Sequence, residues 1–363
     1  MERIRSANKR SIQSRARPKV AHVTEALGGG VQTAIQQYIA NSPHADHVLI
    51  ARTRTDSKVV DEKGVVQAVL TANAGDGFAK FAKNALKALK AVDATHVHLH
   101  SSFAGQLRHV LNPANYEIIY SPHCFAFERC DINAVQRSSY KMLERIASSR
   151  YPHVIAGVSD YERRTASAMS RKVEAVELPN VFGEHNAEVC ALLATRIQNP
   201  PRRIATVGRV GRQKAPEYCA EAARLLDDQG IEWVWVGDGA PKEVARLRSA
   251  GVRVTGWQPR TEAFRVLSES GLYVHTAAWE GAPMASLEAR ANGVPVLMRR
   301  TRTTAGLPFQ HFGGVNECVA AIRDFFEDQQ NREKMIDREI DYINHLKESK
   351  TNQAAVLNRL YAI

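Results

Sequence analysis

The chain has 363 residues, 44% of them hydrophobic and 24% charged, which predicts about two domains and excludes a wholly disordered protein. Its 49 basic and 38 acidic residues give a formal net charge of +11, but residues 1–19 alone hold seven basic residues and one acidic residue, a net +6. The rest of the chain is only mildly basic, which argues against a dedicated nucleic-acid binder.

Short β-branched segments alternate with helical patterns along the chain. A first series of predicted strands is Lys19–Val23, Asp46–Ala51, Val65–Leu70, Thr95–His100, Tyr116–Ser121, His153–Val158 and Ala175–Leu178. A second series is Arg203–Gly208, Glu232–Gly237, Val252–Gly256, Gly271–His275 and Val294–Met298. Predicted helices between them include Val31–Ala40, Phe78–Ala91 and Pro216–Gln229. This alternation predicts an α/β fold of βαβ units with parallel sheets.

The alternation pauses between Asn180 and Arg203, where Pro200 and Pro201 favour an extended connection. We therefore predict two doubly wound domains that face a cleft, because ligands of such sheets bind at the carboxyl ends of strands. The predicted segments are a basic tail over 1–18, a first domain over 19–180, a linker over 181–202, a second domain over 203–340 and a C-terminal helix over 341–363.

The turn after the first predicted strand contains Gly28, Gly29 and Gly30 directly before a helix. Such glycines let backbone N–H groups approach a ligand, and a helix N-terminus favours an anion. A plain strand-to-helix turn fits the same residues. The third glycine of a dinucleotide-binding fingerprint is missing, so contact with a phosphate or a sugar ranks above binding of NAD.

Two loops in the second half carry charged residues at strand ends. Arg209 and Lys214 follow the strand Arg203–Gly208 and precede a helix, an arrangement that suits a diphosphate. Glu280 and Glu288 lie eight residues apart across a loop and a helix start, where carboxylates can accept hydrogen bonds from sugar hydroxyls. Taken singly, the basic pair also fits a solvated surface, and Glu288 a favourable charge in a first helical turn.

Together these motifs resemble those of retaining glycosyltransferase family 4, whose members have the GT-B fold of two Rossmann-like domains facing a central cleft. The family's GR-x4-KG loop is matched by GRVGRQKAPEY, and its E-x7-E block by EGAPMASLEARANGVPVL. The resemblance extends, in order, to the GGG loop, HLHSSFAG, YSPHCFAF, SDYERR, LPNVF, VGDG and VTGWQP, and covers most of residues 19–325.

The resemblance implies transfer of a sugar, with anomeric retention, from a nucleotide diphosphate sugar to a hydroxyl of a glycan or lipid-linked acceptor in polysaccharide or glycoconjugate biosynthesis. A UDP-sugar is favoured and a GDP-sugar is the alternative. It implies that Arg209 and Lys214 hold the diphosphate, and that Glu288 holds the ribose. Glu280 would contact the transferred sugar, with His123 beside it.

Backbone and cleft positions complete the implied site. Gly29 and Gly30 would touch the donor phosphate or the acceptor, and Gly28 and His100 would line the cleft. The family often has EGFG where this chain has EGAP, and Pro283 cannot donate an N–H. Amide contacts to the donor would then come from neighbours such as Met284 and Ala285. This departure keeps a non-catalytic, nucleotide-sugar-binding partner subunit open as an alternative.

No metal or other cofactor is expected. The chain contains no Asp-x-Asp sequence, the commonest metal-holding motif of the other main glycosyltransferase fold. His96, His98 and His100 alternate along one predicted strand and therefore share a face, so a His-x-His metal site is conceivable. Packed or solvated histidines are the commoner case, and we interpret His96 and His98 as structural.

A basic stripe on the predicted helix Phe78–Ala91 indicates a membrane surface as a further partner. Lys80, Lys83, Lys87 and Lys90 fall within ~80° of a helical wheel, opposite an apolar face. The tail adds Arg3, Arg5, Lys9, Arg10, Arg15, Arg17 and Lys19. Basic residues near an anionic lipid surface contribute ~1 kcal/mol each. No aromatic residues interleave with the lysines, so nucleic acid is not the expected partner.

Cysteine usage and hydropathy predict a cytoplasmic location. The five cysteines are odd in number and form no CxxC pair, which argues against a disulfide framework or a zinc site. No apolar run approaches the ~18 residues of a membrane span. We therefore expect a cytoplasmic protein, with peripheral attachment to the cytoplasmic face of the inner membrane as the alternative to a freely soluble one.

Overall fold

The structure is a computed structural model that describes residues 17–53, 65–72, 77–181, 186–345 and 349–362. Three parts of the predicted organisation lie outside these ranges. They are the tail residues Arg3, Arg5, Lys9, Arg10 and Arg15, residues 182–185 of the predicted linker, and residues 346–348 and 363 of the predicted C-terminal helix.

Seven strands in the first half of the described chain form one parallel sheet. They are β1 (Lys19–Leu27), β2 (Asp46–Thr53), β3 (Val65–Ala72), β4 (His96–His100), β5 (Glu117–Ser121), β6 (His153–Gly157) and β7 (Val173–Glu177). Their order is β3-β2-β1-β4-β5-β6-β7, so the winding reverses between β1 and β4. The carboxyl ends of β1 and β4 therefore form a topological switch point, where doubly wound sheets bind ligands.

Helices bury both faces of the first sheet. They are α1 (Gly29–Ala40), α2 (Phe78–Ala91), α3 (Ala134–Ser148) and α4 (Asp160–Ser167). On one face Val23 packs in a cluster with Phe81 of α2, and on the other Val20 packs in a cluster with Tyr38 of α1. Because successive strand residues point to opposite faces, both sets of side chains leave water, as in other parallel sheets.

A second parallel sheet contains six strands of the described residues. They are β8 (Arg203–Val207), β9 (Glu232–Val236), β10 (Arg253–Val254), β11 (Leu272–His275), β12 (Val296–Arg299) and β13 (Gln310–Phe312). The order β10-β9-β8-β11-β12-β13 places the second switch point between β8 and β11. Every strand of the two sheets except β13 overlaps a predicted strand.

The remaining helices surround this second sheet or follow it in the chain. They are α5 (Asn186–Gln198), α6 (Pro216–Arg224), α7 (Pro241–Arg248), α8 (Arg260–Ser268), α9 (Met284–Ala291), α10 (Val315–Glu327), α11 (Gln329–His345) and α12 (Ser349–Leu360). Proline occupies the first position of α6 and of α7, where its missing N–H leaves no intrahelical hydrogen bond unmade.

Helix α5 corrects the prediction of a linker over residues 181–202. Val189, Leu193 and Ile197 recur every four residues, so they lie on one face of a helix. That face packs on the core of the second domain, and Arg332 on α11 donates from Nε to the carbonyl oxygen of Ile197 at 2.7 Å. The prolines that suggested an extended connection begin only after α5 has ended.

The C-terminal segment returns to the first domain. Residues 341–345 still belong to α11, and α12 begins at Ser349. Leu357, Leu360 and Tyr361 are buried in the cluster that contains Val20. No helix among the described residues is long and apolar enough to cross a membrane.

Candidate active site

Hydrogen bonds connect the loop after β8 to the loop after β11. Thr276 donates from Oγ1 to the carbonyl oxygen of Lys214 at 2.6 Å, and the Ala278 amide donates to the carbonyl oxygen of Gln213 at 2.8 Å. The Gln213 side chain donates in turn to the carbonyl oxygen of Trp279 at 3.2 Å. Both loops follow the strands of the second switch point, so their side chains meet at the carboxyl edge of the sheet.

Lys214 and Glu280 form an ion pair at this edge. Their side chains are 16% and 14% exposed, and Lys214 Nζ donates to Glu280 Oε1. His275 Nε2 lies 4.0 Å from the same carboxylate oxygen. Burial, and then the charge of Lys214, lower the pKa of His275 well below its ordinary value, so this imidazole is neutral. The predicted pair of site residues is therefore brought together, with a neutral histidine beside it.

His275 was not predicted. It ends β11 and is buried, and its Nε2 atom makes no hydrogen bond within the described residues. Its other ring nitrogen, Nδ1, lies 3.1 Å from the hydroxyl of Tyr273. A lone histidine in an apolar strand carries no signal of its own, but its place at a carboxyl strand end is the position where doubly wound sheets bind ligands.

Glycines let the loop after β8 lie directly on the loop after β9. A Cβ added at Gly239 would lie 1.8 Å from the carbonyl oxygen of Val210, and one added at Gly237 would lie 2.1 Å from that of Gly208. Gly208 itself has φ +137°, and a Cβ there would lie 2.9 Å from Lys214 Cε. The path of the GRVGRQK segment therefore depends on these three glycines.

Arg209 and Glu288 each contact a residue that was not predicted as a site residue. Arg209 is exposed, with its guanidinium carbon 6.0 Å from the ring centre of Trp257. Glu288 on α9 pairs with Arg260 at 3.1 Å. Burial raises the pKa of Glu288, and Arg260 opposes that rise. Trp257 lies in the VTGWQP segment and Arg260 follows it directly, so this segment was the signal available for them.

The first turns of two helices meet across the cleft. Gly29 begins α1 and Met284 begins α9. A Cβ added at Gly30 would lie 3.5 Å from Met284 Cγ, whereas Gly29 has open space around it and φ +55°. Gly28 precedes α1 and is buried, and Ala285 is partly buried. Because helix N-termini carry a partial positive charge, this junction favours an anion.

The EGAP loop rests on the first domain beside His123. His123 and Cys124 have φ +49° and +89°, a tight turn after β5. A Cβ added at Gly281 would lie 3.0 Å from the amide nitrogen of Cys124, and Asn180 donates from Nδ2 to the carbonyl oxygen of Ala282 at 2.8 Å. His123 and Glu280 are thus placed on opposite walls of one cleft.

His100 does not line this cleft as predicted. It has no exposed surface, and its Nδ1 atom lies 3.1 Å from His123 Nε2. The helices on both faces of the sheet bury β4 completely, so a residue at its end reaches the cleft only through His123. His123 remains partly exposed.

His22, His98 and His100 have ring nitrogens within 4.8 Å of one another, a grouping dense enough to hold a metal ion. All six nitrogens already have hydrogen-bond partners. His98 reaches Tyr361 and Ser121, and the other two rings reach one another and further histidines. These contacts leave no ring nitrogen of the group without a partner.

Known proteins resemble this chain in sequence and in fold. The family model described as "Glycosyl transferases group 1" matches residues 201–328. An uncharacterized 41.2 kDa protein in the cps region of Klebsiella pneumoniae is 26% identical over 319 residues, which is 84% of this chain and 86% of that relative. The UDP-Gal:alpha-D-GlcNAc-diphosphoundecaprenol alpha-1,3-galactosyltransferase of Escherichia coli is 29% identical over 119 residues, 30% of each chain.

Among solved structures, sucrose-phosphate synthase from Thermosynechococcus elongatus aligns with a TM-score of 0.73 at 14% identity, over 95% of this chain and 100% of the other. The two sheets, their switch points and this alignment define the GT-B fold. The chain therefore has the GT-B fold, and its second domain is similar to the group 1 glycosyl transferases. The predicted fold class and the predicted resemblance to a GT-B glycosyltransferase are confirmed.

Replacement of Gly239 by alanine tests the contact between the loops after β8 and β9. Gly239→Ala should destabilise the protein by about 1–3 kcal/mol, the usual cost of an added methyl group in a filled space. Gly211→Ala is the matched control, because it lies in the loop after β8 and has open space around it. Urea unfolding of both variants measures the difference. Equal unfolding midpoints would contradict the contact.

Proposed function

We propose that the chain is a retaining, metal-independent glycosyltransferase of family 4. It moves a sugar from a nucleotide diphosphate sugar to a hydroxyl of a glycan or lipid-linked acceptor in polysaccharide or glycoconjugate biosynthesis. The observation that carries the proposal is the Lys214–Glu280 ion pair at the switch point of the second sheet. The name of the Escherichia coli relative states a UDP-sugar donor and a lipid-diphosphate acceptor, which favours UDP over GDP and supports this acceptor class.

The cations of the second domain suit the donor diphosphate. Lys214 is held by an ion pair that an incoming phosphate can replace, and Arg209 is exposed beside Trp257. The N-termini of α1 and α9 add backbone dipoles, with Gly29, Gly30, Met284 and Ala285 in their first turns. These groups would stabilise the charge that develops on the leaving diphosphate, which is the role a metal fills elsewhere.

The two glutamates are assigned different roles. Glu280 lies at the ion pair beside His275, in reach of the transferred sugar once Lys214 turns to phosphate. Glu288 is mostly buried on α9 and pairs with Arg260. Its carboxylate would accept hydrogen bonds from both hydroxyls of the donor ribose. In this assignment no carboxylate attacks the sugar, and an oxygen of the leaving diphosphate takes the acceptor proton on the same face, which gives retention.

Release of nucleoside diphosphate from a panel of UDP- and GDP-sugars in excess EDTA tests the reaction. Lys214→Ala and Arg209→Ala should each lower turnover about 10²–10³-fold, the scale of losing one preorganised donor. Lys242→Ala is the control, because Lys242 is an exposed lysine of the same domain.

Three results would contradict parts of the proposal. Normal kcat/KM in both site variants would remove the diphosphate assignment. Loss of activity in EDTA, restored by Mg²⁺ or Mn²⁺, would refute metal independence. Donor binding without turnover for every sugar would favour the alternative, a non-catalytic subunit, which the EGAP loop keeps open because Pro283 offers no N–H.

Calorimetry with free UDP and GDP separates the two glutamates. Glu288→Ala should weaken binding of the free nucleotide, because the ribose loses its carboxylate. Glu280→Ala should leave that affinity unchanged and lower sugar transfer, and Glu221→Ala, at an exposed position on α6, is the control. Equal losses of nucleotide affinity at Glu280 and Glu288 would show that the two roles are wrongly assigned.

We also propose peripheral attachment to the cytoplasmic face of the inner membrane through α2. Lys80, Lys83, Lys87 and Lys90 are exposed, while the apolar face of α2 is buried. The Phe103 ring lies against Phe78 of α2 and Tyr140 of α3. These rings connect α3 to α2, and α3 exposes the apolar side chains Val135, Met142, Leu143 and Ile146.

Co-sedimentation with vesicles tests this attachment. Binding should require anionic lipid, weaken as salt rises, and fall when the four lysines of α2 become glutamate, because the attraction is electrostatic. The control makes the same change to glutamate at four exposed basic residues of the second domain, Arg224, Lys242, Arg248 and Lys334. Equal binding to neutral vesicles, or no binding to anionic vesicles at low salt, would contradict the proposed membrane attachment.

A further inference from the structure

Four histidines form one continuous hydrogen-bonded chain through the first domain. His47 Nδ1 lies 3.1 Å from His22 Nε2, His22 Nδ1 lies 3.0 Å from His100 Nε2, and His100 Nδ1 lies 3.1 Å from His123 Nε2. His47, His22 and His100 are at most 2% exposed, whereas His123 is partly exposed at the cleft. The chain therefore has one buried end and one end at the site.

From this chain we infer that His22, His47 and His100 are positioning residues that fix the tautomer of His123. They hold its proton on Nε2 and leave Nδ1 as a hydrogen-bond acceptor for a hydroxyl of the donor sugar. The hydrogen bond to the sugar rests on the proposed function, because it needs a donor sugar at His123. The tautomers of the four histidines do not depend on that function.

The direction of the chain is set at its buried end. His47 Nε2 lies 3.1 Å from the carbonyl oxygen of Ser42, which can only accept a hydrogen bond. The same nitrogen lies 3.2 Å from Ser42 Oγ, whose own proton is donated to the carbonyl oxygen of Tyr38. Both neighbours accept, so the proton of His47 is on Nε2 and its Nδ1 carries a lone pair.

This assignment passes from ring to ring, because a neutral imidazole has one N–H and one lone pair. His22 must donate from Nε2 to His47, which leaves its Nδ1 as an acceptor. His100 must then donate from Nε2 to His22 Nδ1. His123 must donate from Nε2 to His100 Nδ1, and the lone pair on His123 Nδ1 remains for a ligand.

Burial keeps all four rings neutral, as the assignment requires. It lowers the pKa of His22 and His100 well below the ordinary value and that of His47 below it, and neighbouring histidines add to these shifts. Burial also lowers the pKa of His123, to about 4. A proton added at Nδ1 of His47, His22 or His100 would leave two donors facing each other at one link of the histidine chain.

His98 and the C-terminal segment enclose the chain without joining it. His98 lies over His100, with ring centres 4.1 Å apart, and its nitrogens reach Tyr361 and Ser121. Tyr361 also places its ring edge against His22 and His47. This cover excludes water, which would otherwise offer the chain both donors and acceptors at any position.

Long-range ¹H–¹⁵N spectra test the tautomers directly, on the whole protein with labelled histidine and without any ligand. In the unsubstituted protein, His22, His47, His100 and His123 should all give the pattern of an Nε2–H tautomer. His47→Leu removes the acceptor for His22 and should give mixed tautomers at His22, His100 and His123. His47→Gln retains a carbonyl acceptor and should restore the single pattern.

His96→Leu is the matched control, because His96 is a buried histidine of β4 outside the chain. It should leave the tautomers of the four histidines unchanged. An Nδ1–H pattern at His100 or His123 in the unsubstituted protein, or unchanged tautomers in His47→Leu, would overturn the inference. So would stoichiometric zinc or nickel in the purified protein, because a metal on these nitrogens would replace the shared protons.

Enzyme kinetics then test whether the histidine chain contributes to sugar transfer. His47→Leu should lower kcat/KM for the donor sugar about three- to tenfold, the scale of one neutral hydrogen bond, with the affinity for free UDP unchanged. His47→Gln should recover most of that loss. If the spectra show the predicted tautomers but His47→Leu leaves the kinetics unchanged, the histidine chain has no role in sugar transfer. Absence of transfer in the unsubstituted protein would instead refute the proposed function.

Discussion

A single buried carboxylate determines how the two walls of the cleft meet. Glu162 accepts hydrogen bonds from the amides of Cys124 at 2.6 Å and Val158 at 2.9 Å. Burial raises its pKa to about 7, while the two amides favour the ionised form. A Cβ added at Gly281 would lie 3.0 Å from both Glu162 Oε1 and the amide nitrogen of Cys124. The EGAP loop therefore fits against the first domain only while Glu162 and the turn at Cys124 keep these positions.

Further contacts across the cleft are made by backbone oxygens of the second domain. Asn180 donates to Ala282, and Cys130 donates from Sγ to Ala278 at 3.5 Å. Arg302 adds an ion pair with the buried Glu128 at 3.2 Å. These contacts hold the loops of the second domain against the first domain.

The local sequence pattern was sufficient to predict most of the fold. It was not sufficient to predict the contacts that complete the site. Alternating β-branched runs and glycine turns predicted both sheets, since each strand carries its own signal. β13 was missed because Gln310–Phe312 is three residues long, and α5 was missed because prolines near its end outweighed its four-residue periodicity. The Lys214–Glu280 pair joins residues 66 positions apart in the chain. The family motifs implied that both residues belong to one site, but no sequence signal predicted their direct contact.

The histidines show why alternation along a strand cannot decide which residues face a cleft in this fold. On an antiparallel sheet with one wet face, polar residues at every second position mark the solvent side. Here helices bury both faces, and His22 pairs with His98 in register while its ring reaches His100 diagonally. Polar alternation in a doubly wound sheet can therefore mark a buried network, whose members satisfy each other because water cannot. In this protein the residue that follows α12 completes that exclusion, since Tyr361 covers the histidine face from a segment more than 200 residues away in the chain.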